Sequence, residues 1–537
     1  MKRTPQALYG QRSKFQRYAP CIFLLIFLII SLLSARQNTL TYDEPVHYKY
    51  GLAILALNSN RLIADDGRTD DSKMPFTALN ALPGMLSKFF PASTFQVKLA
   101  DITTGRLVTI LFSMSIAWMV YHWSYKLYGL VPALFSLFLY VFEPNIIAHS
   151  QLVTTDVYFM GMATVSTYAL WRYSQAPNWK RAFTFALLLG MSQLTKYTAI
   201  FLYPLLAVIL LVKDLPDLIH LISTRNLRGL WAYTRRLILL ACLVVMVSLL
   251  LINIGYLFNR TLTPFGAYDL QPSYLITLRN KIPMLKEIPV PLPYPYLQGL
   301  DLVIYRERTS HGRGPNYLLG QLSNSGFPYY YLVAWGVKVP LAIQISFLIS
   351  IILYLLCKKG YRFLQNEWFL AAPVVFFTIY LDLFNRAQIG IRYFLVVFPF
   401  ILIFCGSLMT NWQSFRLVSK MTAGLLAAYL IGSVLSYYPN YIPYFNELII
   451  DRRMAYKVLA DSNLDWGQAS GYLTEYLKMH PEANFDPPQP IGGTVVVGPN
   501  ELVGIIVDPA TFHWIRHANR PVATIANTYL IFDLPNP

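Results

Sequence analysis

Charge is what this chain has least of. Only 13% of its 537 residues are Asp, Glu, Lys or Arg, about half the share found in soluble globular chains. That scarcity excludes an ordinary soluble multidomain protein. Cysteine is scarce as well. Cys21, Cys242, Cys357 and Cys405 all fall inside apolar runs, and none sits in a C-x-x-C pair. A disulfide scaffold and a thiolate metal site are thereby excluded, which leaves the four as small, lipid-compatible core residues. No internal repeat or low-complexity tract is present. The formal net charge is +17, yet no basic-aromatic repeat or nucleic-acid motif accompanies it. Basic loops facing anionic lipid headgroups account for that charge, and nucleic acid is not an expected partner.

What the chain has in abundance is apolar length. Hydrophobic residues make up 55% of it, and the mean hydropathy is +0.42. Runs near about twenty apolar residues mark about eleven expected spans, at 19–36, 106–122, 129–148, 156–173, 182–195, 197–212, 237–256, 337–357, 368–384, 391–410 and 420–438. The first follows a basic arm (Lys2, Arg3, Arg12, Lys14, Arg17), and Ser34-Ala35-Arg36 is a poor cleavage site. The segment therefore reads as a retained signal anchor. Only Lys196 separates the fifth span from the sixth, which opens at Tyr197.

Loop charge sets the expected orientation. Alternate short loops carry Lys126; Arg172, Lys180 and Arg181; Lys213, Arg225, Arg228, Arg235 and Arg236; Lys358, Lys359 and Arg362; and Arg416 and Lys420. With the amino-terminal arm they form one cytoplasmic set. The long insertions 37–105 and 257–336 and the segment 439–537 then lie outside, in periplasm or lumen. The expected fold class is an α-helical polytopic membrane protein (1–438) with a small α/β domain (439–537) on the outer face. In that domain, helical patterns at Tyr444–Leu459 and Gln468–Met479 precede expected strands at 494–497, 502–507 and 528–532. The Pro-rich run 289–295 points to a structured loop over the membrane surface.

Residues able to do chemistry collect on the expected outer face. Asp43 and Glu44 lie just beyond the first span, in Thr41-Tyr42-Asp43-Glu44-Pro45. Paired carboxylates there can supply a general base and a second anion that orients a partner. Taken alone, the motif serves equally well as a helix N-cap with acid in the first turn. Asp156, in Thr154-Thr155-Asp156, opens the fourth span, where a cap is again the plainer role. Lys196 and Arg392 are outer-face cations suited to a phosphate, Lys as a point charge and Arg as a fork. Snorkelling to lipid phosphates is their plain alternative. Lys73 and Lys338 are weaker candidates of the same kind. His47, His149 and His311 have no compact metal spacing.

Together these motifs resemble the GT-C glycosyltransferases, specifically the protein O-mannosyltransferase and lipid A aminoarabinose transferase group and its bacterial members. Asp43-Glu44 matches the acidic pair of their first outer loop, and Thr155-Asp156 resembles the acid of the second. Lys73-Met74-Pro75 is similar to their Lys-Pro-Pro element. Tyr317-Leu318-Leu319-Gly320, Gly326 through Tyr331 and Lys338-Val339-Pro340 resemble the lead into a later span. Ile389-Gly390-Ile391-Arg392-Tyr393 and Asp461 through Gln468 (Asp-Ser-Asn-Leu-Asp-Trp-Gly-Gln) are the more specific signatures.

The resemblance implies transfer of a sugar from a polyprenyl-phosphate donor to a protein, lipid or glycan acceptor, with inversion. Asp43, Glu44 and Asp156 are then the catalytic candidates, with Asp43 as base, and Lys73, Lys196 and Arg392 the donor-phosphate candidates. Membrane lipids are expected neighbours, and the resemblance to bacterial members implies the bacterial inner membrane. The family's divalent-cation ligands carry over only in part, since Ser72 stands where the aminoarabinose transferase has Glu, and the resemblance leaves a divalent cation as an open cofactor candidate. Two other classes compete, a transporter and a non-catalytic lipid-binding scaffold. The first predicts repeat symmetry and mid-membrane acids, and the second tolerates loss of Asp43 and Asp156.

Overall fold

A computed structural model of the chain describes residues 14–60, 73–271, 274–309, 314–356, 362–516 and 520–535. Ser72, His311, Cys357, Lys358 and Lys359 lie outside the described residues. The chain is an integral membrane protein built on a helix bundle, and helical structure stands at all eleven expected span positions. Six stretches are long and apolar enough to cross a bilayer by themselves: Tyr18–Gln37, Ile102–Tyr128, Tyr197–Ser223, Leu227–Gly255, Ile391–Met409 and Leu417–Leu435. Two further expected spans are bent pairs, Leu130–Val141 with Pro144–Ser150 at 62° and Tyr330–Lys338 with Leu341–Leu356 at 114°. The remaining three positions hold Asp156–Gln175, Trp179–Ser192 and the short apolar helix Trp368–Leu383. By length and composition the described residues thus give six to eight crossings rather than eleven.

The breaks have local causes. Pro144 and Pro340 lack an N–H and cannot continue the helix before them. At the first bend the Glu143 carboxylate accepts from Ile146 N at 2.6 Å and caps the new helix instead. Asp101 caps Ile102–Tyr128 by accepting from Thr103 N at 2.7 Å, and Asn178 caps Trp179–Ser192 through Arg181 N at 3.0 Å. Between Ser192 and Tyr197 the chain leaves the helix, and Lys196 is extended at φ −162°, ψ 145°.

The carboxy-terminal segment carries a four-stranded sheet ordered β3-β4-β6-β5, with β3 (Asn484–Phe485), β4 (Gly493–Val497), β5 (Ala523–Ile525) and β6 (Tyr529–Leu534). β4 pairs antiparallel with β6 from Gly493–Leu534 to Val497–Leu530. β1 (Asn316–Leu318) and β2 (Gln321–Ser323) form a separate hairpin. Val495, Val497 and Phe532 belong to the same buried apolar cluster as Phe27, Trp123 and Phe398 of the bundle. The core therefore runs without a gap from the helices into the carboxy-terminal segment.

Two expected elements there differ. Residues 502–507 are not a strand: Pro499–Val503 is a short helix with Pro at its start, ended by Gly504 at φ +87°. Tyr444–Leu459 is not an α-helix. Asn446 instead donates its amide to the carbonyls of Gly336 and Val339 at 2.6 and 2.7 Å, pulling the backbone out of helical register. Only a 3₁₀ turn at Arg452–Lys457 remains. The helix Ser470–Met479 and the strands β4 and β6 stand where expected. Cys405 is buried, whereas Cys21 and Cys242 lie on outward surfaces of their helices rather than in the core.

Candidate active site

At one end of the bundle, five distant stretches of chain meet. Asp43 occupies the N-cap position of Glu44–Leu55 but makes no side-chain capping bond. Its carboxylate instead accepts from Arg392 Nη1 at 3.0 Å. Asp156 is the first residue of its helix, after Thr155 at the cap position, and accepts from Lys196 Nζ at 2.7 Å. Tyr393 sits between the pairs: Lys196 Nζ lies 3.7 Å from its ring centroid and the Arg392 guanidinium carbon 5.5 Å. Arg392 also stacks on Trp466 at 4.0 Å.

The Asp461–Gln468 motif builds this arrangement from behind. Ser462 Oγ donates to Ile389 O at 2.9 Å, and Asn463 Oδ1 accepts from Ile391 N at 3.0 Å. These bonds hold the loop that carries Arg392. Gly390, at φ +83°, lies so close that a Cβ there would stand 2.4 Å from Ser462 Oγ. On its other side the motif pairs with the chain leading to Asp43: Thr39 N donates to Gln468 O at 3.0 Å and Tyr42 N to Trp466 O at 3.1 Å. One short segment thus sets the position of both Asp43 and Arg392.

Glu44 faces elsewhere. Arg106 grips it with two bonds, Nη2 to Oε2 at 2.7 Å and Nε to Oε1 at 2.8 Å. Thr41 N and Val153 N also donate to that carboxylate, at 2.8 and 3.0 Å. Arg106 spends its other N–H groups on the carbonyls of Ala35, Asn38 and Thr39. The pair is closed to solvent, at 1% and 0% exposed, and ties the end of the first span to the second. Sequence reasoning missed Arg106. Its signal was a lone arginine within the first turns of an apolar span, where charge is costly and needs a partner.

Lys73 is buried, and its stretch of chain docks near Lys196, with Phe76 N donating to Leu194 O at 3.1 Å. Lys338 serves the fold: its buried ammonium donates to Ile442 O and Asn463 O at 2.6 and 2.8 Å. Among the described residues, no three His, Cys, Asp or Glu side chains are grouped to hold a metal ion. Asp43 and Asp156 each already face a cation, so these residues do not fit a divalent ion.

Outside the spans, burial and the nearby Glu501 and Asp461 carboxylates push Asp465 up to about 6. Burial, with Glu501 and Asp465, pushes Asp486 up to about 7.

Residues 84–250 match the family model described as dolichyl-phosphate-mannose-protein mannosyltransferase. The matched stretch is less than a third of the chain. Arg106, Asp156 and Lys196 lie inside it; Asp43, Lys73, Arg392 and the Asp461–Gln468 motif lie outside it. Two crystal structures of ArnT from Cupriavidus metallidurans are similar in fold. The apo form shares 13% identity at a TM-score of 0.45, covering 78% of this chain and 63% of that one. The form bound to undecaprenyl phosphate shares 14% identity at 0.47, covering 97% and 98%. No curated protein matches the chain in sequence.

Proposed function

We propose that this protein transfers a sugar from a polyprenyl-phosphate carrier to an acceptor hydroxyl at the extracytoplasmic membrane face, inverting the anomeric carbon. The observation that carries the reading is the convergence of Asp43–Arg392 and Asp156–Lys196 around Tyr393. The matched family is described by a phosphate-linked, lipid-carried sugar, which suits two cations at the membrane end of a bundle.

Asp43 is the base. At 37% exposed it is the one acid of the set open to an incoming acceptor, whereas Asp156 is 4% exposed and Glu44 is closed. It takes the acceptor's hydroxyl proton as that oxygen bonds to the anomeric carbon. The bond from that carbon to the carrier phosphate breaks in the same displacement, and its electron pair leaves with the phosphate. Arg392 and Lys196 stabilise the charge that develops there, with Lys73 in support. Asp156 positions Lys196, and Glu44 positions Asp43 by fixing the turn that bears it. Residues 1–438 form the catalytic membrane part. Residues 439–537 form an outer domain whose Asp461–Gln468 segment clamps the site.

The test is transfer of labelled sugar from carrier lipid in proteoliposomes. Wild type is active and Asp43→Asn nearly inactive at matched protein level; equal rates sink the assignment. Reporter fusions after Arg181 and Arg228 should read as cytoplasmic, and those at Gly299 and Pro487 as external. A cytoplasmic carboxy terminus overturns the orientation.

A further inference from the structure

The segment from His149 to Asp156 runs between the two ion pairs. At one end the His149 ring lies 5.9 Å from Trp466, the residue on which Arg392 stacks. At the other end stands Asp156 with Lys196. Between them the chain is held from below, through Val153 N on Glu44 at 3.0 Å. Every residue of the segment is buried.

Three side chains in this short stretch nevertheless leave a polar atom without a partner: His149 Nδ1, Gln151 Oε1 and Thr154 Oγ1. They are 2%, 3% and 1% exposed. A buried polar atom left unpaired costs about 1–3 kcal/mol, and such atoms are rare outside sites that meet a ligand or ordered water. What sets these three apart from other unpaired buried atoms is their place, at the junction of both ion pairs, where a bound molecule's polar groups would meet them.

Their chemistry narrows the ligand. An amide oxygen only accepts hydrogen bonds, and a hydroxyl or neutral imidazole can accept as well. An ionised phosphate offers acceptors alone, so it has nothing to give Gln151 Oε1. A sugar offers hydroxyl groups, which donate. We propose that His149, Gln151 and Thr154 form the subsite that hydrogen-bonds the hydroxyls of the carried sugar, while Arg392 and Lys196 take the phosphate. This rests on the proposed glycosyl transfer and assigns specificity within it: the segment reads the sugar, and the cations read the carrier.

The experiment compares binding of bare undecaprenyl phosphate with binding of its mannosyl, glucosyl and aminoarabinosyl forms to the purified full chain. Wild type should hold at least one glycosylated form more tightly than the bare lipid. Thr154→Val, nearly the same shape without the hydroxyl, and Gln151→Leu should each cost that form roughly three- to tenfold in affinity, the worth of one hydrogen bond. Their affinity for the bare lipid should stay unchanged, and Thr154→Ser should restore the glycosylated form. Arg392→Ala should weaken both lipids alike. Equal losses for bare and glycosylated lipid in Thr154→Val overturn the subsite, as does no loss for either. A wild type that prefers no glycosylated form overturns it too. A wild type that binds none of the four lipids overturns the transfer reading itself.

Discussion

Asp43 and Glu44 are neighbours in sequence, and each pairs with an arginine, yet the two pairs differ in kind. Glu44–Arg106 is closed to solvent, doubly bonded and further tied to five backbone groups. Asp43–Arg392 is a single contact at 3.0 Å with the acid open to solvent and the arginine lying on Trp466. The first arrangement has no capacity left for chemistry, because every oxygen of its acid is occupied. The second has capacity on both partners. An acidic pair in a motif is thus not one dyad here but a sealed frame residue beside an open one.

The largest effect expected from breaking this comparison is on rate. Asp43→Asn should lower the turnover of sugar transfer by roughly 10²–10⁴, the usual contribution of a general base. Its thermal stability should stay near wild type, since Asp43 makes no side-chain cap bond and Asn keeps an oxygen that can accept from Arg392. Glu44→Gln should act through stability instead. Removing one partner of a buried pair costs about 3–5 kcal/mol, seen as a lowered unfolding midpoint and less folded protein in the membrane. Glu44→Leu with Arg106→Leu should recover part of that loss, because an apolar pair leaves no buried charge. A stable Glu44→Gln protein with a rate as low as that of Asp43→Asn would restore the two-acid dyad.

A smaller effect is expected at the phosphate. Arg392→Ala should raise the KM for donor lipid by roughly tenfold or more, the worth of a charged hydrogen bond. Arg392→Lys should recover only part of it, since an ammonium neither forks nor stacks as a guanidinium does. Lys196→Ala should act in the same direction, and donor saturation curves would show whether it does.

The smallest effect lies in the carboxy-terminal segment. Asp486 is pushed up to about 7 by burial and by Glu501 and Asp465. Between about pH 4, where an unfolded Asp titrates, and pH 7, the folded chain holds a proton that the unfolded chain has released. Stability from this group is therefore full at the acid end of the window and is lost as pH rises through it. Asp486→Asn should raise the unfolding midpoint at pH 8 and leave it unchanged at pH 4. Equal shifts at both pH values would remove the titration argument.

Much of the site was legible in the chain. Asp43, Asp156, Lys196 and Arg392 were each visible as charges at the ends of apolar runs, where they are rare and costly. Their assignment to one face followed from the charge of the short loops, and the contacts bring the four together. The pairing was not legible. Nothing local says that Asp43 meets Arg392 across 349 residues, or that Glu44 meets Arg106 instead of sharing its neighbour's work. Lys338 read as a weak phosphate candidate because a lysine's partners are invisible when they are backbone carbonyls. Tyr444–Leu459 read as helix because its apolar spacing is helical, and the Asn446 bonds that override it come from another element.

By itself the sequence determined the solvent, the spans and the inventory. Apolar length and scarce charge demand lipid, prolines and caps set where helices stop, and the few charges that remain must have partners. Which partner each takes was decided only by tertiary structure. Pairing depends on distances between stretches hundreds of residues apart, and these are set by packing of the shared core and by the Asp461–Gln468 clamp, which holds Thr39–Tyr42 on one side and Ile389–Ile391 on the other. Local pattern carries no measure of such distances, so the same two adjacent acids came out of folding with one sealed and one exposed.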